Sequence, residues 1–314
     1  MTSETAQRTE SRARSYARLA KLDVFDYYLS IPLVLAAVLL PLGRFDVVVL
    51  PMLLVFLLGE VLAMAALVAL DDLTGYRDGS DFTNYGPDAP LRRKLRKPLV
   101  AGTLTPREVI RFAWLTWILG GGLLTLAVVI GPHAPLWTVV LLVVTYLSMP
   151  QYSYGAKISY RGFQEFYIAA LGWALVLAPY GLATGQFSSF ILVQALLFGL
   201  GPLLFGVYSN TNDIPGDRAV GRPTVAALAS PRGNALFIGV LSAAEFLIGV
   251  VASLTGAAPW WFALLTLPVT VLRARQYWTG FRAHDIMRAR KAGFTVHRLS
   301  VILLIAANIL AGAR

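Results

Sequence analysis

Four aspartates, Asp71, Asp72, Asp78 and Asp81, fall within the stretch ALDDLTGYRDGSDFTNYG at 69–86, in a chain with only 17 acidic residues among 314. A second acidic stretch, YSNTNDIPGDRAVGRPT at 208–224, supplies Asp213 and Asp217 beside Asn210 and Asn212. Both follow runs of apolar residues. Clustered carboxylates repel one another and are costly near lipid, so something cationic has to offset them. The ligands on offer are all oxygen. His133, His284 and His297 lie outside both stretches, and there is no cysteine. Thiolate nucleophiles, disulfides and Cys-based metal sites are therefore excluded. Oxygen-only donors favour Mg²⁺ or Ca²⁺ over Zn²⁺, and Mg²⁺ is commonly shared between one or two carboxylates and a substrate's phosphates. Arg77, Arg93, Lys94, Arg96, Lys97, Lys157, Arg161, Arg218 and Arg222 flank the acids. Acid, metal and base around one cavity suit a diphosphate. A diphosphate handled inside a membrane suggests a lipid-tailed substrate.

Spacing refines the picture. If the helix before Asp71 continues, residues 71, 75 and 78 share a face, with Gly75 between two aspartates. Asp81 is then displaced by about a quarter-turn. Asp213 and Asp217 are four apart, and Pro215 and Gly216 between them argue for a broken or kinked helix end. Irregular backbone at membrane depth is tolerated where it lines a protected or wet cavity.

These stretches need elements to hold them. The chain is 57% hydrophobic and 14% charged, with a mean hydropathy of +0.64; soluble domains average about 25% charged residues. Lipid is the solvent such a chain needs. Nine apolar spans are expected, near 27–43, 47–70, 109–130, 134–150, 163–184, 187–208, 234–256, 258–273 and 296–313. With the N-terminus cytoplasmic, all of the 27 basic residues except Arg44 and Arg314 fall on the cytoplasmic side, as the positive-inside rule requires. The net charge of +10 then reflects orientation and anionic lipid, and no nucleic-acid partner is expected. The expectation is an all-α, polytopic cell-membrane protein: a basic cytoplasmic tail over 1–26 with no signal peptide, then one domain over 27–314. The two long polar loops lie on one face, so the cavity opens to the cytoplasm. Their recurrence four spans apart suggests an internal repeat.

Other polar residues have plainer readings. Glu60 and Glu245, inside spans, suit hydrogen-bonded structural roles. Glu165 is as well placed to open a helix as to join a site. Tyr27, Tyr28, Tyr146, Tyr152, Tyr154 and Tyr160 fit an interfacial aromatic belt.

With these residues in place, the chain resembles the UbiA superfamily of intramembrane prenyltransferases. The shared features are the span plan, both acidic stretches, RKPLVAGTLT, YSYGAKISYRGFQE and DIPGDRAVGRPT. In the last, Asp213, Asp217, Gly221 and Thr224 match the family's D-x3-D-x3-G-x2-T spacing, with Asn210 three residues earlier. The first stretch departs from N-D-x-x-D-Y-x-x-G-x-D: Asp71 replaces Asn and Gly75 replaces the middle aspartate, while Asp72, Tyr76, Gly79 and Asp81 match. One expectation is that Asp78, one turn on, supplies the missing carboxylate.

The resemblance implies two Mg²⁺ ions gripping an allylic isoprenyl diphosphate. It puts Asp72, Asp78, Asp81, Asp213 and Asp217 around the metals, with Asn210 as a further ligand. Lys97, Lys157, Arg161 and Arg222 are the candidates for the phosphates. Tyr28, Tyr146, Tyr154 and Tyr208 are the candidates for stabilising an allylic cation. It also implies transfer to an acceptor, most often an aromatic ring or quinone precursor. Terpene cyclisation is the alternative, and a membrane transporter a more distant one.

Overall fold

The computed structural model describes residues 10–22, 24, 26–42, 48–85 and 96–312. Arg8, Arg44, Arg92, Arg93, Lys94 and Arg314 lie outside the described residues. The described residues form twelve α-helices: α1 (Arg12–Leu19), α2 (Ser30–Leu42), α3 (Val49–Asp78), α4 (Ser80–Asn84), α5 (Pro106–Ile130), α6 (Leu136–Ser148), α7 (Gln164–Thr184), α8 (Ser189–Ala219), α9 (Val225–Leu228), α10 (Pro231–Thr255), α11 (Phe262–Phe281) and α12 (Ile286–Gly312). Short 3₁₀ turns cover Asp26–Leu29, Met149–Gln151 and Ile158–Arg161.

Each expected span overlaps one of these helices. Among the described residues, α3, α5, α7, α8, α10 and α12 are long and apolar enough to cross a membrane, and Asp26–Val38 and Leu136–Gln151 are shorter apolar helices. Helix ends follow from local chemistry. Thr105 opens α5 through a capping box: the Glu108 amide donates to Thr105 Oγ1 at 3.3 Å and the Thr105 amide to Glu108 Oε2 at 2.8 Å, with Pro106 in the first turn. Gly79, at φ +87°, ends α3 in a left-handed conformation that other residues rarely adopt.

Two boundaries differ from the hydropathy expectation, and both shape the site. Apolar content ends near 70 and 208, but α3 continues to Asp78 and α8 to Ala219. The break expected at Pro215–Gly216 does not occur, because α4 packs against this turn. The Gly216 amide donates to Asn84 Oδ1 at 3.1 Å, so the ladder opened beside the proline is satisfied from a neighbouring element.

The bundle is held by close helix contacts and satisfied polar pairs. A Cβ on Gly172 of α7 would lie 2.6 Å from Gly199 Cα of α8, so the two backbones meet as small-residue membrane interfaces do. Gly172→Val is expected to cost about 1–3 kcal/mol by overpacking, visible as a lowered melting temperature in detergent. Unchanged melting would show that α7 and α8 can separate freely. Arg298 clamps Asp26 at 2.8 and 2.9 Å, tying the last long helix to the first turn. Arg273, at the edge of the expected span 258–273, lies buried in α11, which runs on to Phe281. It holds Glu245 of α10 at 2.7 and 3.0 Å and donates to Gln276 at 2.9 Å. Paired and hydrogen-bonded, the charge is tolerable inside the bundle. Glu60 accepts from the Ser30 hydroxyl.

Candidate active site

The extended ends of α3 and α8 meet the turn at Ile158–Arg161 and the loop after α8. Lys97 Nζ lies 2.8 Å from Asp72 Oδ1 and 2.8 Å from Asp81 Oδ1, bridging two carboxylates. Lys21 adds a second ammonium, 2.9 Å from Asp72 Oδ1 and 3.9 Å from Asp71 Oδ2. Arg222 crosses between the two acidic stretches: its Nη2 lies 3.3 Å from Asp71 Oδ1 and donates to Ser159 Oγ at 2.9 Å. Its guanidinium also lies 5.0 Å from the Tyr160 ring centroid and 5.8 Å from that of Tyr152.

The electrostatics follow from burial and pairing. Burial, opposed by Lys97 and reinforced by Asp72, pushes the Asp81 carboxyl up to about 6. Burial on its own would lower the Lys97 ammonium, but Asp72 and Asp81 outweigh it and hold Lys97 well above its ordinary value. Arg222 behaves alike: burial opposes its charge, and Asp71 leads the groups that raise it. Tyr85, whose ring lies 5.7 Å from Lys97 Nζ, is raised chiefly by burial.

The space over Gly75 is filled, but not by Asp78. A Cβ on Gly75 would lie 2.9 Å from Asp81 Cγ and 2.9 Å from Asp81 Oδ2. Asp78 turns elsewhere: Oδ2 accepts from the Tyr160 hydroxyl, and Oδ1 accepts from the Ser80 amide at 3.0 Å. The expected shared face of 71, 75 and 78 exists within α3. The chain then reverses at Gly79, and α4 folds Asp81 back over it.

In the second stretch Asp213 Oδ1 accepts from Asn212 Nδ2 at 3.0 Å. Asp217 Oδ2 accepts from the Thr224 hydroxyl at 3.0 Å, which ties the loop to the helix end. Asn210 sits in a buried network. Gln164 Nε2 donates to its Oδ1 at 2.8 Å, and its own Nδ2 donates to Glu165 Oε1 at 3.2 Å. Glu165 also accepts from the Val225 amide at 3.0 Å, fastening the loop after α8 to α7. The side-chain oxygen of Asn210 is thus already engaged by Gln164.

The remaining expected residues divide by position. Lys157 is exposed, with Nζ 5.2 Å from the Tyr160 ring, and Arg161 is exposed on the same turn. The four expected cation-stabilising tyrosines make packing contacts. Tyr28 donates to Asp26 at 3.4 Å. Tyr146 stacks on Trp117 at 4.8 Å and donates to its carbonyl at 2.7 Å. Tyr154 meets Trp114 edge-on at 6.3 Å. Tyr208 is buried beside Phe281 at 5.8 Å. The rings facing Lys97 and Arg222 are Tyr85, Tyr152 and Tyr160, while Tyr154 also faces Arg77 at 6.0 Å. Their neighbours Lys21, Ser159 and Gln164 also escape the pattern of acids and bases in the sequence, whereas Glu165 is open there to either a helix-start or a site role. Tyr152 and Tyr160 stand in the quoted YSYGAKISYRGFQE, so that stretch held the signal; Lys21, in the tail, gave none.

Asp72 Oδ2 and Asp81 Oδ2 are buried without a hydrogen-bond partner, beside an ammonium that bridges their other oxygens. Orphaned carboxylate oxygens at a position already favouring positive charge fit Mg²⁺. Among the described residues no three acidic or histidine side chains converge closely enough to form a complete metal cage. The set therefore suits an ion that a substrate's phosphate oxygens help to hold.

A polytopic helical bundle with carboxylates and bases gathered at the ends of its long helices defines a membrane-embedded protein with a polar site at one end. The chain belongs to the UbiA prenyltransferase family, whose model matches residues 29–301. Three solved structures share the fold at 14% identity. A UbiA homologue from Aeropyrum pernix K1, in its apo form, has a TM-score of 0.63 and covers 92% of this chain and 98% of its own. A digeranylgeranylglyceryl phosphate synthase has a TM-score of 0.61, with 96% and 98% covered. A UbiA homologue from Archaeoglobus fulgidus, bound to DMAPP and Mg²⁺, has a TM-score of 0.60, with 94% and 99% covered. No curated protein matches the sequence significantly.

Proposed function

We propose that this protein is a Mg²⁺-dependent prenyltransferase that ionises an allylic isoprenyl diphosphate and passes the prenyl group to an acceptor, most simply an aromatic ring. The observation that carries the proposal is the Asp72–Lys97–Asp81 bridge with its two orphaned carboxylate oxygens. Family membership and a related protein's complex with DMAPP and Mg²⁺ support it.

Asp72 and Asp81, with Asp213 and Asp217 opposite, would hold the metal ions. Asp78 serves instead to position Tyr160. When bound, Mg²⁺ would supply charge to neutralise the departing diphosphate. Lys97 and Arg222 contribute fixed positive charge where negative charge develops, and the buried Arg222 Nε has no hydrogen-bond partner and so keeps a donor in reserve. Lys157 and Arg161, exposed on the neighbouring turn, would meet the outer phosphate. The allylic C–O bond breaks with its electron pair going to the diphosphate oxygen. Ring faces of Tyr85, Tyr152 and Tyr160 border the resulting cation, each worth about 0.5–2 kcal/mol when desolvated. Attack by the acceptor forms the new C–C or C–O bond, and the acceptor loses a proton to water. The apolar bundle accepts the prenyl tail and keeps water from the cation. The basic loops support a site at the cytoplasmic face of the cell membrane, with the N-terminus on the same side.

Purified protein, Mg²⁺ and geranyl, farnesyl or geranylgeranyl diphosphate, with and without phenolic or quinone-precursor acceptors, test this. Prenylated acceptor and released diphosphate are expected only when both substrates are present. A cyclic hydrocarbon or alcohol formed without acceptor would replace transferase by cyclase. No diphosphate release from any donor would remove the enzyme reading.

A further inference from the structure

The first acidic stretch lacks a side chain at 75 and has a carboxylate where that side chain would project. Asp81 is 6% exposed and reaches this place because α3 stops at Gly79 and α4 turns back. A Cβ at 75 would stand 2.9 Å from both Cγ and Oδ2 of Asp81, and 3.0 Å from Oδ1. These contacts are shorter than carbon–carbon and carbon–oxygen packing allows. The whole carboxylate, not merely its tip, lies against the glycine. In this rotamer Oδ1 reaches Lys97 and Oδ2 is left orphaned.

We propose that Gly75 is a positioning residue whose missing side chain holds Asp81 in its inward, ion-binding rotamer, so that the carboxylate beside Asp72 is delivered from α4 rather than from α3. Any side chain at 75 rotates Asp81 away from Lys97 and removes one oxygen donor from the divalent-ion site. Gly75 and Asp81 therefore act as one unit. Removing the space and removing the carboxylate have the same consequence, and a carboxylate returned from position 75 substitutes for the one lost at 81. The inference deepens the diphosphate-site assignment above and depends on it.

Mn²⁺ binding to the metal-free protein with inorganic diphosphate present, followed by electron paramagnetic resonance, reads this without turnover. Gly75→Ala and Asp81→Asn should each weaken Mn²⁺ binding by about 10–100-fold, the usual cost of disturbing a ligand or its support. The double variant Gly75→Ala/Asp81→Asn should be no weaker than either single one, because coupled residues are not additive. Gly75→Asp/Asp81→Asn should recover binding to within a few-fold of the starting protein. Thermal melting without metal shows that each variant is folded. Gly75→Ala binding Mn²⁺ within twofold of the starting protein, or additive losses in the double variant, overturns the proposal. If the starting protein itself binds no Mn²⁺ with diphosphate, the diphosphate-site assignment fails first and the inference falls with it.

Discussion

Asp81→Asn is expected to lower kcat/KM for the diphosphate donor by about 10²–10³-fold, the range found when one preorganised charge-stabilising group is removed. Asp78→Asn is expected to cost less than tenfold. The two residues are three apart and chemically identical, and the sequence resemblance leaves both around the metals. The structure does. Asp81 shares Lys97 with Asp72 at 2.8 Å and keeps an orphaned oxygen in the site. Asp78 spends its oxygens on the Tyr160 hydroxyl and the Ser80 amide. The pH dependence should separate them as well. Burial raises Asp81 to about 6, and a divalent ion needs the charged carboxylate. Metal affinity in the unmodified protein should therefore fall as pH drops through about 6. The Asp81→Asn variant should lose that limb and the Asp78→Asn variant keep it. Diphosphate release at Mg²⁺ well below saturation, measured from pH 5 to 8, is the check. Equal losses in the two variants would return Asp78 to the metal site.

Much of the arrangement is legible in the sequence, because lipid imposes strong constraints on composition. Apolar runs of membrane length must be helices, since no water satisfies their backbone. This is why each expected span overlaps a helix and why the acids fall at helix ends. Side-chain direction is another matter. It depends on where the chain turns after α3, and Gly79 announces a turn without saying which aspartate it swings inward. The continuity of α8 through Pro215 depends on Asn84, more than a hundred residues away. Lys21 reaches Asp72 from the tail in the same unforeseeable way. The tyrosines illustrate the limit further. Tyr146 and Tyr160 sit in one stretch of sequence, yet one stacks on Trp117 and the other faces Arg222. Which ring serves packing and which borders charge is decided by the two 3₁₀ turns between α6 and α7, features with no periodic signature.

Lys97→Met is expected to have the largest combined effect on stability and activity. Without metal, Lys97 bridges Asp72 and Asp81. Its side chain is 12% exposed, and those of its partners are 1% and 9% exposed. Removing one partner from a buried ion pair typically costs about 3–5 kcal/mol, because the other charge is left uncompensated. Lys21 still faces Asp72, so the lower end of that range is expected. The metal-free variant should melt well below the starting protein. A divalent cation should then rescue it more than it stabilises the starting protein, since the ion no longer meets a neighbouring ammonium that repels it and neutralises the same two carboxylates, and stabilisation by a ligand grows with its affinity. Turnover should not recover in parallel. Lys97 is also proposed to meet the leaving diphosphate, and its loss should keep kcat about 10²–10³-fold down even with metal bound. Melting curves with and without Mg²⁺, paired with diphosphate-release rates, separate the two roles. A variant that melts like the starting protein would show that the Asp72–Lys97–Asp81 bridge contributes nothing to stability. A variant whose turnover returns fully with Mg²⁺ would confine Lys97 to standing in for the ion.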